Sequence, residues 1–274
     1  MKTILISGCS SGIGYAVAHG LKNEGWRVFA TCRKSEDVAR LVAEGLEALR
    51  LDVDDNESIH ACVTEVLERT GGRLDALFNN AGFGQPGACE DITRDALRAQ
   101  FETNLFGAWA LCAAVLPAMR KQGHGRILFN SSVLGFAAMK WRGAYNASKY
   151  AMEGLCDTLR LELDGSGVFV SLIEPGPIVS RFRPNALAKF LANVDIEMSV
   201  HRAAYEAQLA RLQKPGPAAP FTLPESAVLD SVRRALAARR PAARYRVTVP
   251  THLFWYLKRV LPTRWLDALL SRAA

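Results

Sequence analysis

The chain has 274 residues, of which 49% are hydrophobic and 22% charged, and it carries a formal net charge of +7. Those proportions exclude a disordered or fibrous chain and allow one sizeable domain with a continuous core. The six scattered cysteines form no C-x-x-C pair, so neither a zinc site nor a disulfide framework is expected, and they read as small apolar residues in a reducing, cytoplasmic compartment.

Met1-Lys2-Thr3 runs directly into a short apolar stretch that polar residues interrupt too soon for a signal peptide. That stretch predicts a first strand at Thr3–Ser7, ending in Ser7-Gly8-Cys9-Ser10-Ser11-Gly12-Ile13-Gly14, with a helix beginning near Gly12. Glycines at such a strand-to-helix turn let the backbone approach a pyrophosphate, whose charge the free N–H groups of the helix start would meet. The spacing is G-x-x-x-G-x-G, not the usual dinucleotide G-x-G-x-x-G, and a plain turn explains glycines equally well.

A second strand, Arg27–Thr31, leads into Cys32-Arg33-Lys34. An acid at this strand end favours NAD, whereas an Arg accommodates the 2′-phosphate of NADP. No acid stands there and Arg33 offers a planar fork for phosphate, with Lys34 beside it, so NADP is favoured over a reading of both as solvated charges. Helices are expected from about Glu36 and Asp54, with Ser35 and Asp54 as caps and Asp54 with Glu57 as a capping box.

The third strand, Glu47–Asp52, ends at Asp52-Val53, where Asp52 suits an adenine amino group. The fourth, Ala76–Asn79, ends in Asn80-Ala81-Gly82, whose backbone suits a ribose. Both are also ordinary turn chemistry. A helix capped by Thr93 carries Asn104, a poor helix former suited to binding water or distorting the helix. A fifth strand, Arg126–Ser131, is followed by Ser132, which could stabilise charge on a substrate oxygen. The helix from Gly143 holds Tyr145 and Lys149 four residues apart on one face. An ammonium so placed is expected to bring a phenol down toward working pH and make it a general acid/base. A bare Y-x-x-x-K is usually only a helix face; the combination carries the argument.

After a sixth strand, Phe169–Glu174, the pattern loosens into a proline-rich stretch broken by a helix near Val200–Arg211, and a weaker seventh strand fits Arg244–Val249. Strands alternating with helices predict an α/β fold: one Rossmann-like, doubly wound parallel sheet of about seven strands, helices on both faces, and a C-terminal helical extension.

These residues resemble the short-chain dehydrogenase/reductases over about residues 1–185. The family's glycine-rich turn matches Gly8, Ser10, Ser11, Gly12, Ile13 and Gly14, with Ser7 where Thr is commoner. Its Asn-Asn-Ala-Gly matches 79–82, its Pro-Gly falls on Pro175 and Gly176, and its catalytic tetrad falls on Asn104, Ser132, Tyr145 and Lys149. The resemblance implies that Lys149 also binds the nicotinamide ribose, that Asn104 holds a water in a proton relay from Tyr145, and that Ile178 and Ser180 contact the carboxamide. Ser180 replaces the commoner Thr but keeps the hydroxyl. The branch resembled is that of 17β-hydroxysteroid and retinol dehydrogenase-like enzymes, mostly users of NADP(H), and a homodimer or homotetramer is implied. The expected activity is hydride transfer between NADP(H) and a ketone, aldehyde or secondary alcohol, the alternative being a non-catalytic NADP-binding sensor or scaffold.

Within a single domain of residues 1–274, residues 1–185 are expected to form the cofactor and catalytic core, 176–240 a substrate loop and lid, and 250–274 a helical tail. Met139, Trp141, Phe182, Leu187 and Phe190 would line an apolar substrate pocket if they face the chemistry, though such residues are more often core. The positive excess is confined to residues 201–274, with 13 basic and 4 acidic side chains. That tail, interrupted by Pro262 and too broken to span a bilayer, is open to three readings: packing on the domain or a partner subunit, a wall of the substrate pocket, or contact with an anionic membrane. No nucleic acid and no metal are expected.

Overall fold

The computed structural model describes residues 1–217 and 219–272. Seven strands form one parallel sheet: β1 (Thr3–Ile6), β2 (Arg27–Cys32), β3 (Glu47–Arg50), β4 (Ala76–Asn79), β5 (Gly125–Asn130), β6 (Val168–Glu174) and β7 (Arg244–Arg246). Their spatial order is β3-β2-β1-β4-β5-β6-β7, so the chain reverses its direction of winding between β1 and β4. That reversal opens a crevice at the carboxyl ends of the strands.

Period-two alternation distributes the strands' side chains between two cores. Ile4 and Ile6 of β1, with Phe78 of β4 and Leu128 of β5, face α1 (Gly12–Asn23), α2 (Ser35–Ala43) and α9 (Ser226–Ala237). Leu5, Leu77, Ile127 and Phe129 face the opposite side, against α3 (Asn56–Arg69), α5 (Ala108–Gln122) and α6 (Gly143–Glu162). Each such fully buried side chain contributes about 1.5–3 kcal/mol, which makes the sheet a rigid platform for whatever its strand ends carry.

Three details differ from expectation. Asp55, not Asp54, caps α3, accepting a 2.9 Å bond from the Glu57 amide. Asp54 instead accepts from the Thr103 hydroxyl at 3.0 Å. Ser35 lies inside the first turn of α2, with Lys34 at the cap. The third difference concerns the proline-rich stretch, which holds three helices, α7 (Phe182–Asn193), α8 (Arg202–Gln213) and α9. Pro184 sits in the first turn of α7, where its missing N–H costs nothing. Within the expected lid, α9 is a sheet-layer helix that buries Val228, Val232 and Ala235. The other two helices, α7 and α8, pack around Phe190, Tyr205 and Leu212 and are the part of the expected lid that lies outside the sheet layers.

The tail forms α10 (Val249–Val260) and α11 (Thr263–Leu270), with Pro262 between them.

Candidate active site

The turn between β1 and α1 is built so that side chains cannot enter it. Gly8 has φ +73°, and a Cβ there would lie 2.8 Å from the Cα of Ala81, while one at Gly14 would run into the Gly8 carbonyl. Asn80 fixes the turn: its side-chain amide donates to the carbonyls of Ser7 and Gly8 at 3.0 Å each and accepts from Asn130 at 2.9 Å. The hydroxyl of Ser7 accepts the amides of Asn80 and Ala81 at 3.0 Å. Two of the expected motifs are thus one structural unit. Ser11 stands at the cap of α1 without a side-chain capping bond, which leaves the first-turn amides to an anion. Glycines without room for a Cβ and an uncapped helix start fit a dinucleotide pyrophosphate.

At the end of β2, Arg33 and Lys34 are exposed. Lys34 pairs with Glu36 at 3.1 Å. Asp37 is the acid near Cys32, whose thiol it helps raise, but Arg40 holds Asp37 at 3.0 Å. Arg40 also donates to the Ser10 carbonyl at 2.7 Å and so clamps the glycine turn, a role the sequence did not disclose. Asp52 turns inward on its own loop, accepting from the Asp54 amide at 3.2 Å, and Val53 packs against Gly107.

A cavity of about 450 Å³ opens beside these strand ends. Ile13, Asn80 and Gly82 line it from the glycine-turn side, Ser132, Tyr145 and Lys149 from β5 and α6, and Pro175, Gly176, Ile178 and Ser180 from the end of β6. Arg33, Lys34, Asp52 and Val53 lie outside it, as do Gly8, Ser10, Ser11, Gly12, Gly14 and Ala81 of the turn and its backing. Asn104 does not line it either. It is fully buried in a π-helical segment, Glu102–Gly107, so the distortion expected of it is present. Its side-chain amide accepts from the Phe83 amide and donates to the Phe83 carbonyl, both at 3.0 Å, and donates to Ser148 at 3.3 Å, tying the Gly82 loop to α6.

Tyr145 and Lys149 share a face of α6, with the Lys149 ammonium 5.7 Å from the Tyr145 ring centre. The expected lowering of the phenol's pKa is not what this geometry produces. Burial pushes Tyr145 up to about 12, opposed in part by the Ser132 hydroxyl and by Arg142. The ammonium donates instead to the Asn130 carbonyl at 2.7 Å, and burial brings it down to about 8. Ser132 accepts from the Leu134 amide at 3.1 Å.

Of the apolar residues expected around the chemistry, Met139 and Phe182 line the cavity, Phe182 meeting the Tyr145 ring edge-on at 5.3 Å. Phe190 and Leu187 belong to the lid core, and Trp141 packs on His201 and Tyr205 at 4.9 and 5.8 Å. Pro250, Phe254 and Leu270 of the tail complete the wall, and Trp255 is held between Arg246 and Arg259 at 3.9 and 3.7 Å. Packing and wall-forming are therefore both realised, while Tyr256, Val260 and Trp265 remain exposed. Periodicity alone did not place Phe254 or Leu270 at a site more than 100 residues upstream.

The family model of the short chain dehydrogenases matches residues 2–189. The chain is 44% identical over 270 residues to the uncharacterized oxidoreductase YbbO of Escherichia coli, covering 98% of this chain and 94% of that one. It is 35% identical over 264 residues to human 17-beta-hydroxysteroid dehydrogenase type 1, covering 89% and 77%. Among solved structures, a short chain dehydrogenase/reductase from Burkholderia phymatum in complex with NAD is similar, with a TM-score of 0.79 and 26% identity over 100% of this chain and 96% of that one.

Proposed function

The chain belongs to the short chain dehydrogenase family, and we propose that it is an NADP(H)-dependent reductase of a lipophilic ketone or aldehyde, or in reverse a dehydrogenase of the corresponding alcohol with NADP+ as hydride acceptor, with Tyr145 as general acid/base. The observation that carries this reading is the single cavity that places Ser132, Tyr145 and Lys149 beside Ile13, Ile178 and Ser180, under an apolar wall from the lid and tail.

When bound, the dinucleotide supplies hydride to the carbonyl carbon. The glycine turn and the uncapped start of α1 would hold its pyrophosphate, and Arg33, exposed at the end of β2, would receive a 2′-phosphate. Ser132 and Tyr145 present hydroxyls to one substrate oxygen. The phenol is protonated at neutral pH, and burial only extends that range upward, so Tyr145 stands as the acid in the reducing direction, giving its proton to the oxygen as charge develops there. Lys149, fixed by Asn130, adds positive charge that stabilises the phenolate left behind. A water relay through Asn104, if formed, would return the proton; the π segment that carries Asn104 lies against α6 beside it. A sensor without catalysis needs none of this set together.

The test is Tyr145→Phe. Reduction of a medium-chain aldehyde or a steroidal ketone by NADPH should fall at least about 100-fold, the loss typical of a missing general acid, while NADPH binding followed by its fluorescence is retained. Undiminished turnover would sink the mechanism.

We further propose a cytoplasmic homodimer or homotetramer. Leu97 on α4 (Arg94–Phe101), Phe106 and Trp109 stand exposed along one continuous helical run, which supports an apolar self-contact. Exposed Val260 and Trp265, beside Lys258, Arg259 and Arg264, support additional peripheral contact with anionic membrane.

A further inference from the structure

The cavity that holds Tyr145 is mostly apolar, yet three arginines line it, Arg142, Arg183 and Arg211, and no Asp or Glu does. Arg183 is accounted for: its guanidinium donates to the backbone carbonyls of Arg211 at 3.2 Å, of Lys214 at 2.8 Å and of Gly216. It fastens the end of α8 to the loop after it. Among the described residues, the side chains of Arg142 and Arg211 make no such hydrogen bond or ion pair. Among the described residues neither has a carboxylate acting on it; burial and a neighbouring arginine govern both, and Tyr145 is the further group felt by Arg142.

Placing Arg142 there works against stability three times over. A guanidinium held partly out of water in a mostly apolar cavity, with no carboxylate partner among the described residues, is costly, and the arginine at 211 repels it. It also occupies the cap position of α6, where the helix dipole is positive and favours an anion. Arg211, in the last turn of α8, has the dipole in its favour; Arg142 does not. The chain nevertheless fixes Arg142 firmly. Trp141, just before it, adopts φ +61°, a left-handed conformation that a bulky residue takes only when its surroundings enforce it. The Trp141 ring packs on His201 and Tyr205, its carbonyl accepts the Gly87 amide at 3.0 Å, and the Arg142 carbonyl accepts the Asn146 amide at 2.8 Å. A costly charge held by a strained, well-packed backbone is the mark of a binding group.

The cofactor does not account for it. The glycines that flank Ile13, and Arg33 at the end of β2, lie outside the cavity, whereas Arg142 adjoins Tyr145 and Phe182 and Arg211 lines the cavity beside Leu212 of α8. We infer that the substrate carries an oxyanion, a carboxylate or a phosphate ester, on the same molecule as its carbonyl, and that Arg142 and Arg211 receive this group while the carbonyl lies at Ser132 and Tyr145. The substrate class becomes an amphipathic oxo acid or oxo phosphate, apolar along the chain that Met139, Phe182 and Phe254 cover and anionic at one end. This rests on the reductase reading above.

The experiment compares matched pairs with NADPH: straight-chain oxo acids of several lengths against their methyl esters, and the phosphate monoester of a hydroxyketone against the free hydroxyketone. For the right headgroup and chain length, kcat/KM of the anionic member should exceed that of its neutral partner by about tenfold or more, mostly through KM, as expected of charge-assisted hydrogen bonds. The ratio should collapse toward one in Arg142→Gln and in Arg211→Gln, and Arg211→Lys should keep part of it. Because the ratio is taken within each variant, partial loss of folded protein cancels. Turnover of the neutral members with no anionic preference in any pair, or a preference unchanged in both Gln variants, overturns the inference and leaves the reductase reading standing. No turnover of any carbonyl overturns both.

Discussion

The ring of Tyr145 on α6 meets the ring of Phe182, the first residue of the lid helix α7, edge-on at 5.3 Å. The contact joins the proposed acid to the helix that covers the cavity, and it is part of what shields the phenol from water. Phe182→Ala should therefore let the Tyr145 pKa fall from about 12 toward its ordinary value of 10. Reduction needs the protonated phenol, so the alkaline fall of kcat should begin at lower pH than in the parent. Loss of the apolar wall that Phe182 gives the cavity should also raise KM for bulky carbonyls by about tenfold. A pH–rate profile and a KM both unchanged would show that the contact matters for neither.

The proposed preference for NADP rests on one side chain. Lys34 is paired with Glu36, Arg40 holds Asp37 and Glu44, and both therefore have protein partners. Arg33, exposed at the end of β2, is the side chain that the proposal gives to a 2′-phosphate. Arg33→Ala should raise KM for NADPH by about 10–100-fold, the worth of a charge-assisted contact, and leave KM for NADH within a few-fold. Lys34→Ala should do much less. An NADPH to NADH preference unaltered by Arg33→Ala would remove the argument for NADP.

The tail makes a separable prediction. Phe254 is half-buried and lines the cavity from α10, so Phe254→Ser removes apolar wall with little effect on the core. With about 1.5–3 kcal/mol for burying such a side chain against substrate, KM for a long-chain or steroidal carbonyl should rise about 10–100-fold. A three-carbon aldehyde, too short to reach α10, should be handled as before. An equal effect on both substrates would point to general damage and not to a wall.

Features set by local backbone needs were legible in the sequence. The glycine turn was readable because only glycine tolerates φ +73° against Ala81, and Tyr145 with Lys149 because helical spacing alone puts them on one face. Asn104 announced a distorted helix through its poor propensity. What was illegible depends on contacts between distant segments. Asp54 and Asp55 are adjacent acids, and only the packing of Thr103 decides which one caps α3. Helix α7 was not read in the proline-rich stretch because its start has no capping side chain to reveal that Pro184 sits in a first turn. The direction of the Tyr145 shift was misjudged for the same reason: helical spacing shows the ammonium, but not the burial that outweighs it or the Asn130 carbonyl that accepts its hydrogen bond.

The last prediction concerns Glu174, which ends β6 immediately before Pro175 and Gly176. Its side chain is fully buried, 3.1 Å from Arg244 and 3.4 Å from Arg246, and Arg246 stacks on Trp255 of the tail. Burial and the nearby Glu153 raise its carboxyl from 4.5 to about 7, more than the arginines lower it. The folded protein then holds a proton between pH 4.5 and 7 that the unfolded chain has released. By linkage this group's stabilising effect is complete below about 4.5 and is lost as pH rises through 7. Glu174→Gln mimics the protonated form and cannot titrate, so the difference in melting temperature, variant minus parent, should climb from pH 4.5 to 7 and level off above. The climb corresponds to an upper bound on the order of 3 kcal/mol, or several degrees in a chain of this size. Taking the difference cancels the opposite dependence of carboxylates such as Asp75 and Asp157, which their partners hold below the usual range. A difference that is flat with pH, or that falls across this window, would mean that the arginines dominate and that Glu174 is ionised throughout.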